Sequence, residues 1–159
     1  MKLKDPQGRE IQASIRSISK DKMPLKKDGW NFNWRELAKG KNRKFFALMA
    51  ENKIEGMLSL ETQTVSGDRM MFMPHLEIAP HNVGKNGKYK DAAGCLLAYA
   101  CFQSILELEN GNPYSGFLAF ESKTELIEHY ISYGATIAMK NKMFFDPKAG
   151  DELIKRYLK

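Results

Sequence analysis

The sequence predicts a mixed α/β fold in which a central, mostly antiparallel sheet is flanked by helices. Strand-like runs follow one another through tight-turn residues between positions 44 and 79. An uncharged helical run, residues 92–106, comes next, and strand and helix patterns then alternate to the end of the chain. At 159 residues the chain is read as one domain, 1–159. A chain of this length hides roughly 70% of its unfolded surface.

The first strand is expected at residues 10–18 (EIQASIRSI), where Ile11, Ala13 and Ile15 alternate with polar residues. Residues 20–44 are polar and basic, and Pro24, Gly29 and Gly40 break them up. Within them Trp30, Phe32, Trp34 and Leu37 would anchor one or two short helices that end near Gly40. Residues 44–51 and 53–62 form two strands joined at Asn52. A third, residues 69–79, follows the Ser66-Gly67-Asp68 turn. The uncharged helix starts near Asp91 and stops at the polar stretch Glu109-Asn110-Gly111-Asn112-Pro113. A buried strand at 115–121, a helix at 124–133 closed by Gly134, a strand at 136–145 and an amphipathic helix at 149–158 complete the order.

The formal charge of +6 favours an anionic partner, with nucleotide cofactors, nucleic acid and acidic proteins all qualifying. Lysines cluster at 20–27, 39–44 and 85–90. The uncharged run is too short for a membrane span, and no signal-peptide pattern opens the sequence, so a cytoplasmic location and no membrane partner are expected. Cys95 and Cys101 lie six positions apart in one helix, on different faces, and read as reduced core residues. Neither the cysteines nor the three histidines have metal-site spacing, so no metal is expected.

The richest stretch runs from His75 to Phe102: strand, glycine- and lysine-rich loop, uncharged helix. Glycines let a backbone approach an anion, lysines neutralise it, and the first N–H groups of a helix carry partial positive charge. A solvated basic turn leading into a core helix would share these features.

The element order, Ile78-Ala79-Pro80 at a strand end, Tyr89-Lys90-Asp91-Ala92-Ala93-Gly94 opening a helix, and Tyr130 four residues before Gly134 together resemble a GNAT-type N-acetyltransferase. The resemblance implies the acyl-CoA N-acyltransferase fold, with acetyl-CoA as acyl donor and no metal. It implies coenzyme contacts from Ile78, Ala79, Pro80, Ala92, Ala93 and Gly94. Tyr89 stands where the family has Gln or Arg, Ala92 replaces a glycine, and the loop is longer than usual. Gly84, Lys85, Gly87 and Lys88 are therefore expected to fold over the phosphates, with Tyr89 beside them. Lys123 stands where many members carry an asparagine.

The resemblance also makes Tyr130 the proton donor to the departing coenzyme thiolate. Its phenol, with a pKa of about 10 against about 8.5 for a thiol, is well matched to that step. Glu77, one strand position before Ile78, is a candidate base for the attacking amine, and an ordered water, His81 or His129 are alternatives. The acceptor is an amine of a small molecule, peptide or protein, and a homodimer is compatible with this reading. A rival expectation is a non-catalytic module of the same fold whose basic surface holds nucleic acid or a protein partner.

Overall fold

In the computed structural model, which describes residues 1–40 and 42–159, eight strands form one sheet in the order β1-β2-β3-β4-β5-β6-β8-β7. The strands are β1 (Lys2–Lys4), β2 (Glu10–Ser17), β3 (Lys44–Ala50), β4 (Lys53–Val65), β5 (Asp68–Ile78), β6 (Leu118–Glu121), β7 (Thr136–Met139) and β8 (Lys142–Phe145). The helices are α1 (Trp34–Leu37), α2 (Ala92–Glu107), α3 (Ile127–Ser132) and α4 (Pro147–Tyr157). Every neighbouring pair is antiparallel except β5 and β6. Lys41, within the basic cluster 39–44, lies outside the described residues.

The hairpins follow their turn chemistry. Glu51 and Asn52 both take positive φ between β3 and β4, as do Ser66 and Gly67 between β4 and β5. Four expectations are corrected. The expected strand 136–145 is a hairpin, because Lys140 turns into the left-handed region and splits the run into β7 and β8. The strand expected at 115–121 starts only at Leu118, and Phe117 is still bonded in a turn to Tyr114. The helix expected at 124–133 is a 3-10 turn, Thr124–Leu126, leading into the short α3. The strand β1 was not anticipated at all: three residues are too few for a periodic signal, and only their pairing with β2 defines them.

Two apolar clusters flank the sheet. On one face α2 and α4 cover Leu48, Leu58, Leu60, Leu118 and Phe120. Gly56 leaves room for Leu96, since a Cβ there would lie 2.7 Å from its methyl. Helix α4 starts at Pro147 behind an Asp146 cap that accepts the Ala149 N–H at 2.8 Å, and it runs antiparallel to α2. Close approach of the two helices depends on Gly150 against Cys101 and on Gly94, whose missing side chain is replaced by the Tyr157 ring. The opposite face is covered by residues 23–38, where Trp30 and Trp34 pack with Met23, Phe45, Ala47, Met57 and Ala79. Among the described residues no helix is long and apolar enough to cross a membrane.

Candidate active site

The site begins with a defect in β5. Between the pairs Ser59–His75 and Glu61–Phe72 the register slips, so Leu60 stands against both Met73 and Pro74. A bulge bends its strand, and proline, with no N–H to give, is tolerated there. The parallel partner β6 pairs with β5 only at Met71 and Phe72, before the bulge. Past it, the edge of β5 that would face β6 is bare.

What that edge offers follows from the ladder. The Ala79 N–H donates to the Glu55 carbonyl at 2.9 Å, and Ile78 and Leu76 are registered on Gly56 and Leu58. Bonded and non-bonded pairs alternate in an antiparallel ladder. The Glu77 N–H therefore points to β4, while the Leu76 and Ile78 N–H groups point into the gap.

A cavity of about 180 Å³ occupies the gap, with Phe32, Met73, His75, Glu77, Lys123 and Tyr130 among its walls. The structure thus brings together the two residues assigned chemistry from the sequence, Tyr130 and Glu77, and adds His75. Tyr130 comes from α3 on the α2 side, its ring 4.7 Å from Phe120. Burial pushes its phenol pKa above the ordinary value, which keeps it protonated at neutral pH. Glu77 comes from the other side. Its carboxylate accepts the Asn31 N–H at 2.6 Å, the Phe32 N–H at 3.1 Å and the Trp34 indole N–H at 2.9 Å. Both oxygens are engaged in holding the 31–34 segment against the sheet. His75 rests edge-on against Phe32 and Trp34, with ring centroids 4.9 and 6.1 Å away, and its Nδ1 lies 3.3 Å from Ser59 Oγ.

The loop after β5 is a separate unit. Residues 78–94 contribute no wall to this cavity. Ala79 is buried, Pro80 opens a 3-10 turn, and the buried Asn82 side chain donates to the Glu55 carboxylate at 2.9 Å and accepts the Tyr89 N–H at 3.0 Å. His81 also contacts the Glu55 carboxylate, which is fully buried and has one oxygen, Oε1, without a partner. The Gly87 N–H closes on the Gly84 carbonyl and the Lys88 N–H on the His81 carbonyl. Gly87 admits no Cβ, because it would collide with the Asn82 carbonyl. Two of the residues expected beside the phosphates are engaged within the loop itself. Tyr89 and Gly87 have their N–H groups committed inside the loop, and the Tyr89 ring is core, 2% exposed. Lys88 reaches toward Glu51 at 3.6 Å and over the Tyr89 ring. Gly84 and Lys85 stay exposed.

Helix α2 opens without a side-chain cap from Asp91. Its first-turn residues Ala92, Ala93 and Gly94 precede the first helical acceptor bond, made by Cys95 to the Asp91 carbonyl at 3.0 Å. Cys95 and Cys101 are buried free thiols whose pKa values burial pushes up to about 12, so neither is a nucleophile at neutral pH.

Strand alternation in the sequence places His75 on the same face as Glu77 but assigns it no role, and Ser59 and the Asn31–Phe32 wall are missed. One signal was present: Pro74 within a strand run marks a bulge or an edge.

No protein-family model and no curated protein matches the sequence. Solved structures match it in fold. A mutant of the AtaT toxin, bound to the C-terminus of the antitoxin AtaR and acetyl-CoA, superposes with a TM-score of 0.63 at 14% identity, covering 91% of this chain and 99% of that one. An aminoglycoside acetyltransferase from an uncultured soil metagenomic sample gives 0.52 at 17%, covering 80% and 91%. The GCN5-related glucosamine N-acetyltransferase region of a fungal multi-domain β-N-acetylglucosaminidase gives 0.56 at 11%, covering 82% of this chain and 18% of that one. The chain has the GNAT acetyltransferase fold. Within the GNAT fold seen here, β5 and β6 part midway along β5, after Phe72, and α2 starts beyond the carboxyl end of that strand, the end at which open α/β sheets take ligands.

Proposed function

We propose that the protein is an acetyl-CoA-dependent N-acetyltransferase that moves the acetyl group directly from the thioester to an amine. The carrying observation is the gap opened at Pro74, where Leu76 and Tyr130 line one cavity and the bare edge of β5, with the outward N–H groups of Leu76 and, just beyond the cavity, Ile78, runs past it. Such N–H groups, fixed by the strand, stabilise the oxyanion that forms on a thioester carbonyl, while Pro80 has no N–H to add. The amine nitrogen bonds to the carbonyl carbon, the carbon–sulfur bond breaks, and Tyr130 gives its proton to the departing thiolate. The amine's proton leaves to a base on the opposite side.

Phosphate groups of the coenzyme fit the uncapped first turn of α2, Ala92, Ala93 and Gly94, with Gly84, Lys85 and Lys88 on the exposed side of the loop. Ala79 keeps the strand end compact under Trp30 and Trp34. Glu77 acts chiefly by holding the 31–34 wall, because its oxygens are already shared by three donors. The acetyl-CoA complex of the AtaT mutant supports the choice of donor. The test is Tyr130→Phe: turnover, followed as thiol release, falls by roughly 10²-fold while acetyl-CoA affinity is unchanged. Unchanged turnover removes Tyr130 from the chemistry.

A second reading has an observation of its own. Lys2, Lys4, Arg156 and Lys159 outnumber Glu10, which pairs with Lys2 at 2.8 Å, and Asp91 around a polar cavity of about 560 Å³, which suits a non-catalytic module holding nucleic acid or an acidic partner. Nucleic-acid binding by those cations would fall steeply with salt through counterion release. Coenzyme binding would fall only modestly.

A further inference from the structure

We propose that His75 is the general base that takes the proton from the attacking amine, with Ser59 as its positioning residue; the proposal rests on the acetyl-transfer reading above. His75 shares the cavity with Tyr130 but enters from the other side of the sheet. It packs with Phe32 and Trp34, the residues that cover the α1 face, whereas Tyr130 packs with Phe120 in the α2-side core. A thioester held in the gap by Leu76 and Ile78 would therefore have a base on the side of amine approach and an acid on the side of thiol departure. Direct transfer needs that division.

The imidazole is also oriented. Ser59 is fully buried on β4 and is the registered cross-strand partner of His75. With Nδ1 turned to Ser59 Oγ at 3.3 Å, Nε2 lies on the far side of the ring, away from β4. Nδ1–H donating to Ser59 leaves the Nε2 lone pair free to accept a proton. The two edge-on aromatic contacts restrict rotation of the ring.

Burial, assisted by a neighbouring cation, favours the neutral ring. Burial first, then the Arg43 guanidinium, lower the imidazole pKa below its ordinary value, and Glu61 opposes them weakly. Arg43 and Glu61 are themselves paired at 3.3 Å. Glu77 on the same strand is held by its three donors, and Glu121 and Lys123 stand across the cavity. A neutral imidazole at pH 7 is ready to accept a proton, and burial then favours passing that proton on to solvent before the next turnover.

The test uses the full chain saturated with acetyl-CoA. Nitrogen-15 NMR of the histidine rings should show His75 in the Nδ1–H tautomer at neutral pH, and Ser59→Ala should mix the two tautomers. An Nε2–H tautomer in the wild type overturns the proposal. Thiol release is then followed with two probe nucleophiles, methylamine, which is protonated at pH 7, and hydroxylamine, which is not. His75→Gln should slow methylamine acetylation, in which the nitrogen sheds two protons, by roughly 10²-fold, and hydroxylamine acetylation, in which it sheds one, by clearly less. An equal loss with both probes, or no loss with either, overturns the base role. Failure of the wild type to bind acetyl-CoA at all would instead remove the acetyl-transfer reading on which the proposal stands.

Discussion

Replacing Glu77 by alanine takes away the carboxylate that ties residues 31–34 to β5. The Trp34 ring is fully buried, so its indole N–H is left without a partner or water, at a cost of about 1–3 kcal/mol. The Asn31 and Phe32 N–H groups are nearer the surface and regain water, each losing about 0.5–1.5 kcal/mol. Those contributions add to about 2–6 kcal/mol. Relief from burying the carboxylate, itself only 9% exposed, offsets part of the loss and brings the net to about 3 kcal/mol. For a chain of this size each kcal/mol moves Tm by about 2–4 °C, so Glu77→Ala should melt about 6–12 °C below the wild type by circular dichroism. Glu77→Gln keeps one oxygen for the indole and the Phe32 N–H but turns an amide N–H₂ toward the Asn31 N–H, and should lose only about 1 kcal/mol. A Glu77→Ala variant within about 0.5 kcal/mol of wild type in urea unfolding would refute the reasoning.

Three further outcomes are expected. Gly94→Ala drives a methyl into the Tyr157 ring and should destabilise by about 1–3 kcal/mol, with most of the loss recovered in the Gly94→Ala, Tyr157→Ala double variant. Glu55→Ala frees His81 and leaves Asn82 with only its bond to the residue 55 carbonyl, so hydrogen exchange should quicken at the Lys88 and Tyr89 amides while those of β3 stay protected; uniform protection would show that the loop holds itself. Because the folded-state pKa of His75 lies below the model-peptide value of about 6.5, the native protein binds fewer protons than the unfolded chain near that pH. Its contribution to stability is therefore present above about pH 6.5 and is lost as pH falls through the lowered value. The pH-dependent stability loss of wild type over that window should exceed that of His75→Gln.

The hairpin portion of the fold was legible because its signals are local. Asn52 and Ser66-Gly67 announce turns by chemistry that needs no tertiary context, and they punctuate runs rich in apolar residues that read as strands. Lys140-Asn141 also forms a turn, with Lys140 alone at positive φ, but it sits inside an unbroken strand-like run, and only the pairing of β7 with β8 reveals it. The candidate site was half legible. Tyr130 and Glu77 were found through a resemblance, and the structure places both at one cavity. The loop residues could not be sorted from sequence, since what removes Tyr89 and Gly87 is a network anchored on Asn82 and the buried Glu55, far away along the chain. His75 was passed over for a related reason. Its chemistry depends on the cross-strand Ser59 and on aromatics from the 31–34 segment, both distant along the chain, and only the adjacent Pro74 signals the bulge.

The central claim is that acetyl-CoA lies in the gap between β5 and β6. Titration of the nitrogen-15-labelled protein with acetyl-CoA, read as backbone amide shifts, addresses it directly. The account predicts a saturable response with the largest shifts at the Leu76 and Ile78 amides, accompanied by Ala92, Ala93 and Gly94 at the start of α2. Shifts confined to Lys2, Lys4 and Lys159, or no shifts at millimolar acetyl-CoA, would contradict it.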